Sequence, residues 1–231
     1  RTRRMGGDFR RHCAGDCGLP QKKGITPFFH KIVLASPDFR AAFFVAWRKI
    51  FPINSSIMKK DTAVFTRRSV RAYDSSKRVS KEQIEDILDA AMHAPSAMNK
   101  QPWRFVVATE DSVLDALTKA HPYCESVKDA HSAIIVCGDL DEQFSTPCGG
   151  YYEYDCSAAA QNILIRAKEL GLGTCWCGVA PEKERMEAIR RLFGMPKNIA
   201  PMALIILGYP AESPELDAPR YTPAKVHWQK W

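Results

Sequence analysis

From residue 58 onward, short runs that are apolar at every position alternate with segments whose apolar residues recur at helical spacing, and that alternation limits the possible folds most. Residues 133–137 and 203–207 are uninterrupted apolar runs. Their length suits strands rather than helices, and a run with no polar face suits a strand covered on both sides. Residues 104–108 and 174–179 read as two further strands. Between these runs lie helix signals. Ser80-Lys81-Glu82-Gln83 forms a capping box, since the Ser80 hydroxyl can accept from the third amide while Gln83 reaches back. The helix that follows sets Ile84, Ile87, Leu88 and Ala91 on one face, and Pro95 lies beyond its end. A second helix turns Val113, Leu114 and Leu117 inward. Asp155 reads as the N-cap of a long helix over 156–170 closed by Gly171. Pro181 suits the start of a helix carrying Met186, Ile189, Leu192 and Phe193 to a stop at Gly194. About four strands interleaved with helices predict an α+β or α/β layered fold, a sheet with a helical surround.

Charge divides the chain in two. Residues 1–57 hold 11 of the 33 basic residues and 3 of the 26 acidic ones, so that stretch is +8 and residues 58–231 are −1. A nearly neutral body lacks the basic face that nucleic-acid binding requires. The apolar stretch 41–47 is too short to span a bilayer. Three readings of 1–57 stay open: a disordered extension, a targeting or membrane-surface segment, or residues preceding a true start at Met58. The domain itself is placed at 58–231. Eight cysteines without a clear export signal fit free thiols in a cytoplasmic protein better than bridges. Cys13 and Cys17 are spaced too widely for a usual metal knuckle, and no metal site is expected.

Three distant segments carry polar chemistry. Arg67-Arg68-Ser69-Val70-Arg71 suits a phosphate, because guanidinium forks pair with its oxygens and a hydroxyl adds a donor. A solvated basic turn is the competing reading. In residues 94–103, Pro95 and Pro102 fix a loop on which Ser96, Asn99 and Gln101 offer donors and acceptors, or which simply seats Trp103 in a core. In residues 171–178, glycines allow close backbone approach around Trp176 and Cys177, ending at Gly178.

In this order the pattern Arg-Arg-Ser-x-Arg, Ala-Pro-Ser-x-x-Asn-x-Gln-Pro-Trp and Gly-Leu-Gly-Thr-x-Trp-x-Gly resembles the nitroreductase family of FMN-dependent oxidoreductases. The stretch 207–211, with Arg220 and His227-Trp228, is similar to that family's C-terminal end. The resemblance runs from Phe65 to Trp231 and includes none of residues 1–57.

The resemblance implies a central, mainly antiparallel sheet surrounded by helices, in a homodimer with FMN at the interface. Arg67, Arg68 and Ser69 would hold the phosphate and ribityl chain, and Arg220 would close on the phosphate. Arg71 would stand near the pyrimidine end, where a cation stabilises the reduced flavin's charge. Pro95, Ser96, Asn99 and Gln101 lie on the loop expected to reach the flavin of the partner subunit. Trp176, Cys177 and Gly178 would form the strand whose backbone amide addresses flavin N5. No side chain is expected to be catalytic: NADH or NADPH would reduce the flavin, and a small acceptor such as a nitroaromatic, quinone or enone would then take its place in a ping-pong cycle. An FMN-storage module and a specialised relative, dehalogenating or flavin-fragmenting, are the alternatives. Phe144, Tyr151 and Tyr152 are the candidates to line an acceptor pocket.

Overall fold

Two strands made almost entirely of apolar residues need cover on both faces, and the remaining elements supply it. The structure, a computed structural model, describes residues 62–212 and 220–231. Residues 1–57, with Cys13, Cys17 and the stretch 41–47, lie outside the described residues. In chain order the elements are α1 (Ala63–Thr66), α2 (Lys81–Met92), β1 (Trp103–Ala108), α3 (Asp111–Ala120), α4 (Val127–Ala130) and β2 (Ala133–Asp139). They continue with β3 (Ser145–Thr146), β4 (Gly149–Gly150), α5 (Tyr152–Glu169), β5 (Gly173–Gly178), α6 (Lys183–Leu192) and β6 (Ile199–Gly208). Four strands pair in the order β1-β2-β6-β5, each antiparallel to its neighbour. The expected α+β layered fold with a mainly antiparallel sheet is present.

Alternation along β2 and β6 feeds two separate cores. Ile134, Val136, Ala203, Ile205 and Leu207 pack with Ile84, Ile87 and Ala91 of α2 and with Ala160, Ile163 and Leu164 of α5. Ala133, Ile135, Leu204 and Ile206 pack with Leu114 and Leu117 of α3, Val127 of α4 and Ile189 of α6. A fully buried Leu or Ile contributes about 1.5–3 kcal/mol. The capping box at Ser80 and Gln83 forms as expected and adds about 1 kcal/mol at its helix end.

Three boundaries depart from the sequence reading. Helix α5 begins at Tyr152, so Asp155 lies inside its first turn instead of capping it. That frees the Asp155 side chain for a tertiary contact. Helix α6 begins at Lys183, two residues after Pro181. The β3–β4 hairpin and the one-turn helices α1 and α4 carry too few residues to show a period.

The segment after α1 docks on the free side of β5. Ser69 bridges Thr174 in parallel, and the Val70 amide donates to the Thr174 carbonyl at 2.9 Å. Further along, Tyr73 bridges Pro210. Val70 fits because Gly173 has no side chain: a Cβ there would stand 2.9 Å from three Val70 carbons. We expect Gly173→Ala to destabilise the fold by about 1–3 kcal/mol through overpacking. Chemical denaturation measures this, and an unchanged midpoint would contradict the docking of Val70 on β5.

Candidate functional site

Docking of residues 67–71 on β5 brings two of the three polar segments together. At one end Arg67 is half-buried, and its guanidinium pKa is lowered by burial first and then by the charges of Arg220 and Arg68. Three cations from two distant parts of the sequence therefore converge. The Arg68 guanidinium also donates to the Phe65 and Arg67 carbonyls at 3.0 and 2.9 Å, which folds it back over the turn. Ser69 is exposed beside this cluster. Guanidinium forks gathered in this way match the geometry of a phosphate.

Arg71 stands further along the strand. The Cys175 thiol is held below its ordinary value by its hydrogen bond with Cys177, and Arg71's charge acts in the same direction against burial. Trp176 is half-buried and Gly178 is exposed. From Thr174 to Gly178 the strand spans roughly 13 Å. Cations thus lead along β5 to a backbone edge open to a ligand.

The exposed end of β5 is held by a turn that sequence reasoning passed over. His121 is 1% exposed, its Nδ1 accepts from the Tyr123 amide at 3.2 Å, and its Nε2 lies 2.9 Å from the Gly178 carbonyl. Since Nδ1 accepts, Nε2 carries the proton and donates to Gly178. Cys177 Sγ lies 3.3 Å from the Tyr123 carbonyl, and Arg185 donates to the Gly178 carbonyl at 3.2 Å while lying over the Tyr123 ring at 5.3 Å. The end of β5 is therefore fixed from the α3 and α6 side. A lone histidine in a Pro-containing turn gives no spacing signal, so only the fold reveals it.

The third segment turns elsewhere within the same chain. A short 3-10 turn, Ala97–Asn99, follows α2, and Met98, Asn99 and Gln101 all adopt positive φ near 50°. Three non-glycine residues in the left-handed region cost energy that surrounding contacts must offset. Those contacts are the Ala97 amide to Asp155 Oδ1 at 2.8 Å, the Gln101 amide to Ser96 Oγ at 2.9 Å, and Gln101 Nε2 to Asn99 Oδ1 at 3.1 Å. Pro95, Asn99 and Gln101 remain exposed, and Ser96 is half-buried.

A cavity of about 600 Å³ opens beside this loop, lined by Pro95, Ser96 and Ala97, the β3–β4 hairpin, and Tyr151, Tyr154 and Asp155 of the α5 start. Of the aromatic residues expected to line a pocket, Tyr151 does so. Phe144 packs against Tyr151 at 5.4 Å, and Tyr152 packs on the core and contacts Gly138. Tyr154, unforeseen, takes part instead. Among the described residues no group of three or more His, Cys, Asp or Glu is placed to hold a metal, and no helix is long and apolar enough to cross a membrane.

Comparison with known proteins bears on the family and the fold. The sequence profile of the Nitroreductase family matches residues 64–141 and 151–209. A Methanothermobacter thermautotrophicus protein, named as a candidate NADH dehydrogenase/NAD(P)H nitroreductase, is 44% identical over 78% of this chain and 92% of its own length. Among solved structures, a Bacteroides thetaiotaomicron protein similarly named is 41% identical, covers 73% of this chain and 96% of its own, and superposes with a TM-score of 0.67. A candidate nitroreductase of Desulfovibrio desulfuricans, solved in complex with FMN, is 29% identical over 73% of this chain and 95% of its own, with a TM-score of 0.61. With the family matched over most of residues 64–209 and a relative 44% identical over nearly its whole length, the chain belongs to the nitroreductase family.

Proposed function

We propose that this chain is an FMN-dependent oxidoreductase that takes hydride from NADH or NADPH and passes it to a small acceptor, working as a homodimer with two composite sites. The observation that carries the reading is the line of groups along the free side of β5: the cluster of Arg67, Arg68 and Arg220 at one end, Arg71 along the way, and the exposed Gly178 at the other. FMN has a matching polarity, with a dianionic phosphate at one end and a planar ring at the other. When bound, it supplies hydride exchange between the nicotinamide and the acceptor.

The chain's own residues bind, orient and shield. Arg67, Arg68, Ser69 and Arg220 hold the phosphate end, and Arg71 places a cation near the ring. Trp176, Cys177 and Gly178 present the backbone edge that His121 and Arg185 hold still. Pro95, Ser96, Asn99 and Gln101 complete the pocket of the partner subunit, which accounts for their strained yet exposed loop. The nicotinamide nucleotide and the acceptor occupy the open face in turn, a ping-pong order. The catalytic unit is residues 58–231.

Three measurements test this reading. Purified protein should be yellow with about one FMN per chain, and Arg67→Ala should weaken FMN binding roughly 10- to 100-fold, as loss of a charge-assisted hydrogen bond predicts. A colourless protein that takes up no added FMN would overturn the assignment. Co-expression of Arg67→Ala with Asn99→Ala should restore activity above either mutant alone, because heterodimers then contain one intact site and one doubly damaged site. No gain on co-expression would mean that both residues serve the same chain's pocket. Finally, a chain starting at Met58 should keep its FMN content and turnover, whereas loss of folded protein would move the boundary upstream.

A further inference from the structure

His121 is 1% exposed, and burying an imidazole is costly unless both ring nitrogens are answered. Both are. Nδ1 accepts from the Tyr123 amide at 3.2 Å, and Nε2 donates to the Gly178 carbonyl at 2.9 Å. The Tyr123 carbonyl in turn accepts from the Cys177 thiol at 3.3 Å. These contacts close a circuit that leaves β5 at Gly178, passes through His121 and Tyr123, and returns to the strand at Cys177. The peptide joining Cys177 to Gly178 lies between the two ends, and its N–H is the Gly178 amide.

The register of β5 determines where that amide points. Backbone groups of alternate residues in an antiparallel strand face the same edge. Thr174 faces away from β6, since its carbonyl accepts from the Val70 amide on the free side. Pairing with β6 runs unbroken from Gly173 to Gly178, so Trp176 and Gly178 face the free side as well. Val179, the next residue, donates its amide to the Met202 carbonyl on β6, as the alternation requires. Beyond its chain neighbours, a Cβ at Gly178 would meet only the Ala180 carbonyl oxygen, at 3.9 Å, so the space beside the amide is open among the described residues. A buried, fully engaged histidine thus fixes an amide on an open edge.

We propose that His121 is the positioning residue for the hydride-exchanging end of the flavin: in its Nε2–H tautomer it acts through the Gly178 and Tyr123 peptides to aim the Gly178 amide at the ring. This placement rests on the function proposed above. The phosphate end is held separately by Arg67, Arg68 and Arg220, so loss of the clamp leaves FMN bound but misaligned. Small misalignments of a reacting centre slow transfer more than they weaken binding. The effect therefore falls on the rate of flavin reduction and spares both cofactor retention and the nucleotide KM.

The test compares two variants that divide the imidazole between them. His121→Gln sets an amide N–H where Nε2 stands and keeps the bond to Gly178, whereas His121→Asn keeps an acceptor near Nδ1 for Tyr123 and falls short of Gly178. The full-length protein is followed by long-range nitrogen–proton NMR of the ring, by exchange of the Gly178 amide with and without FMN, and by the limiting rate of flavin reduction by NADH or NADPH. In the unaltered protein we expect the Nε2–H tautomer in both states, and Gly178 exchange that slows about tenfold or more on FMN loading. His121→Asn should keep its FMN, lose that protection, and be reduced about tenfold more slowly at a nucleotide KM changed less than about twofold, while His121→Gln stays within about threefold of the unaltered rate. Leu114→Ala, which removes packing from the core under α3, should cost stability without slowing reduction. An Nδ1–H tautomer, no protection of Gly178 in the unaltered FMN-loaded protein, equal rates in the Gln and Asn variants, or an equal slowing in Leu114→Ala would each overturn the proposal. The first two outcomes need no variant, so it stays open to refutation if neither His121 variant folds. Failure to bind FMN would instead strike the proposed function, and the tautomer in the flavin-free protein separates the two.

Discussion

Pairing of residues 69 and 70 with Thr174 is the contact on which the rest depends, because it converts a strand edge into a place where cations and open backbone share one line. Without that parallel bridge and the 2.9 Å bond from Val70, the arginines of the 67–71 turn would be solvated charges unrelated to β5. The pairing in turn requires the bare Cα of Gly173 under Val70. The four-stranded sheet supplies rigidity from behind. Its two central strands, buried on both faces, cannot shift register without exposing a core.

Polar groups were placed around this frame by different means. His121 satisfies both ring nitrogens and ties the exposed end of β5 to the turn after α3. Asp155 does the corresponding work for the strained loop after α2, with its other oxygen buried. Burying such groups is costly, so each marks a point where fixed geometry outweighs an apolar alternative. Both positions adjoin elements assigned to the site, one at the strand end and one at the loop.

Much of this was legible in the sequence. The uninterrupted runs at 133–137 and 203–207 identified the central strands because only two-sided burial tolerates them, and the Ser80–Gln83 box fixed a helix start through local hydrogen bonds. Order and identity of the Arg, Pro-Ser-Asn and Gly-Trp segments pointed to the family. Contacts made only in three dimensions stayed hidden. Asp155 looked like a cap because its neighbours allow one, yet the tyrosines before it continue the helix. Nothing local shows that Ala97 lies 58 positions away in sequence and one hydrogen bond away in space. Likewise His121 lies 57 positions from Gly178, and Tyr154 enters the cavity only because α5 starts early.

The central claim is that the Arg67, Arg68 and Arg220 end of β5 holds a phosphate and so orients the flavin along the strand. Comparing FMN with riboflavin, which differs only in lacking the phosphate, tests it most directly by flavin fluorescence titration of the flavin-free protein. The account predicts that FMN binds at least 100-fold more tightly, with an advantage that shrinks as salt rises and contracts in Arg67→Ala. Equal affinity for the two flavins, at low salt and in the unaltered protein, would contradict it.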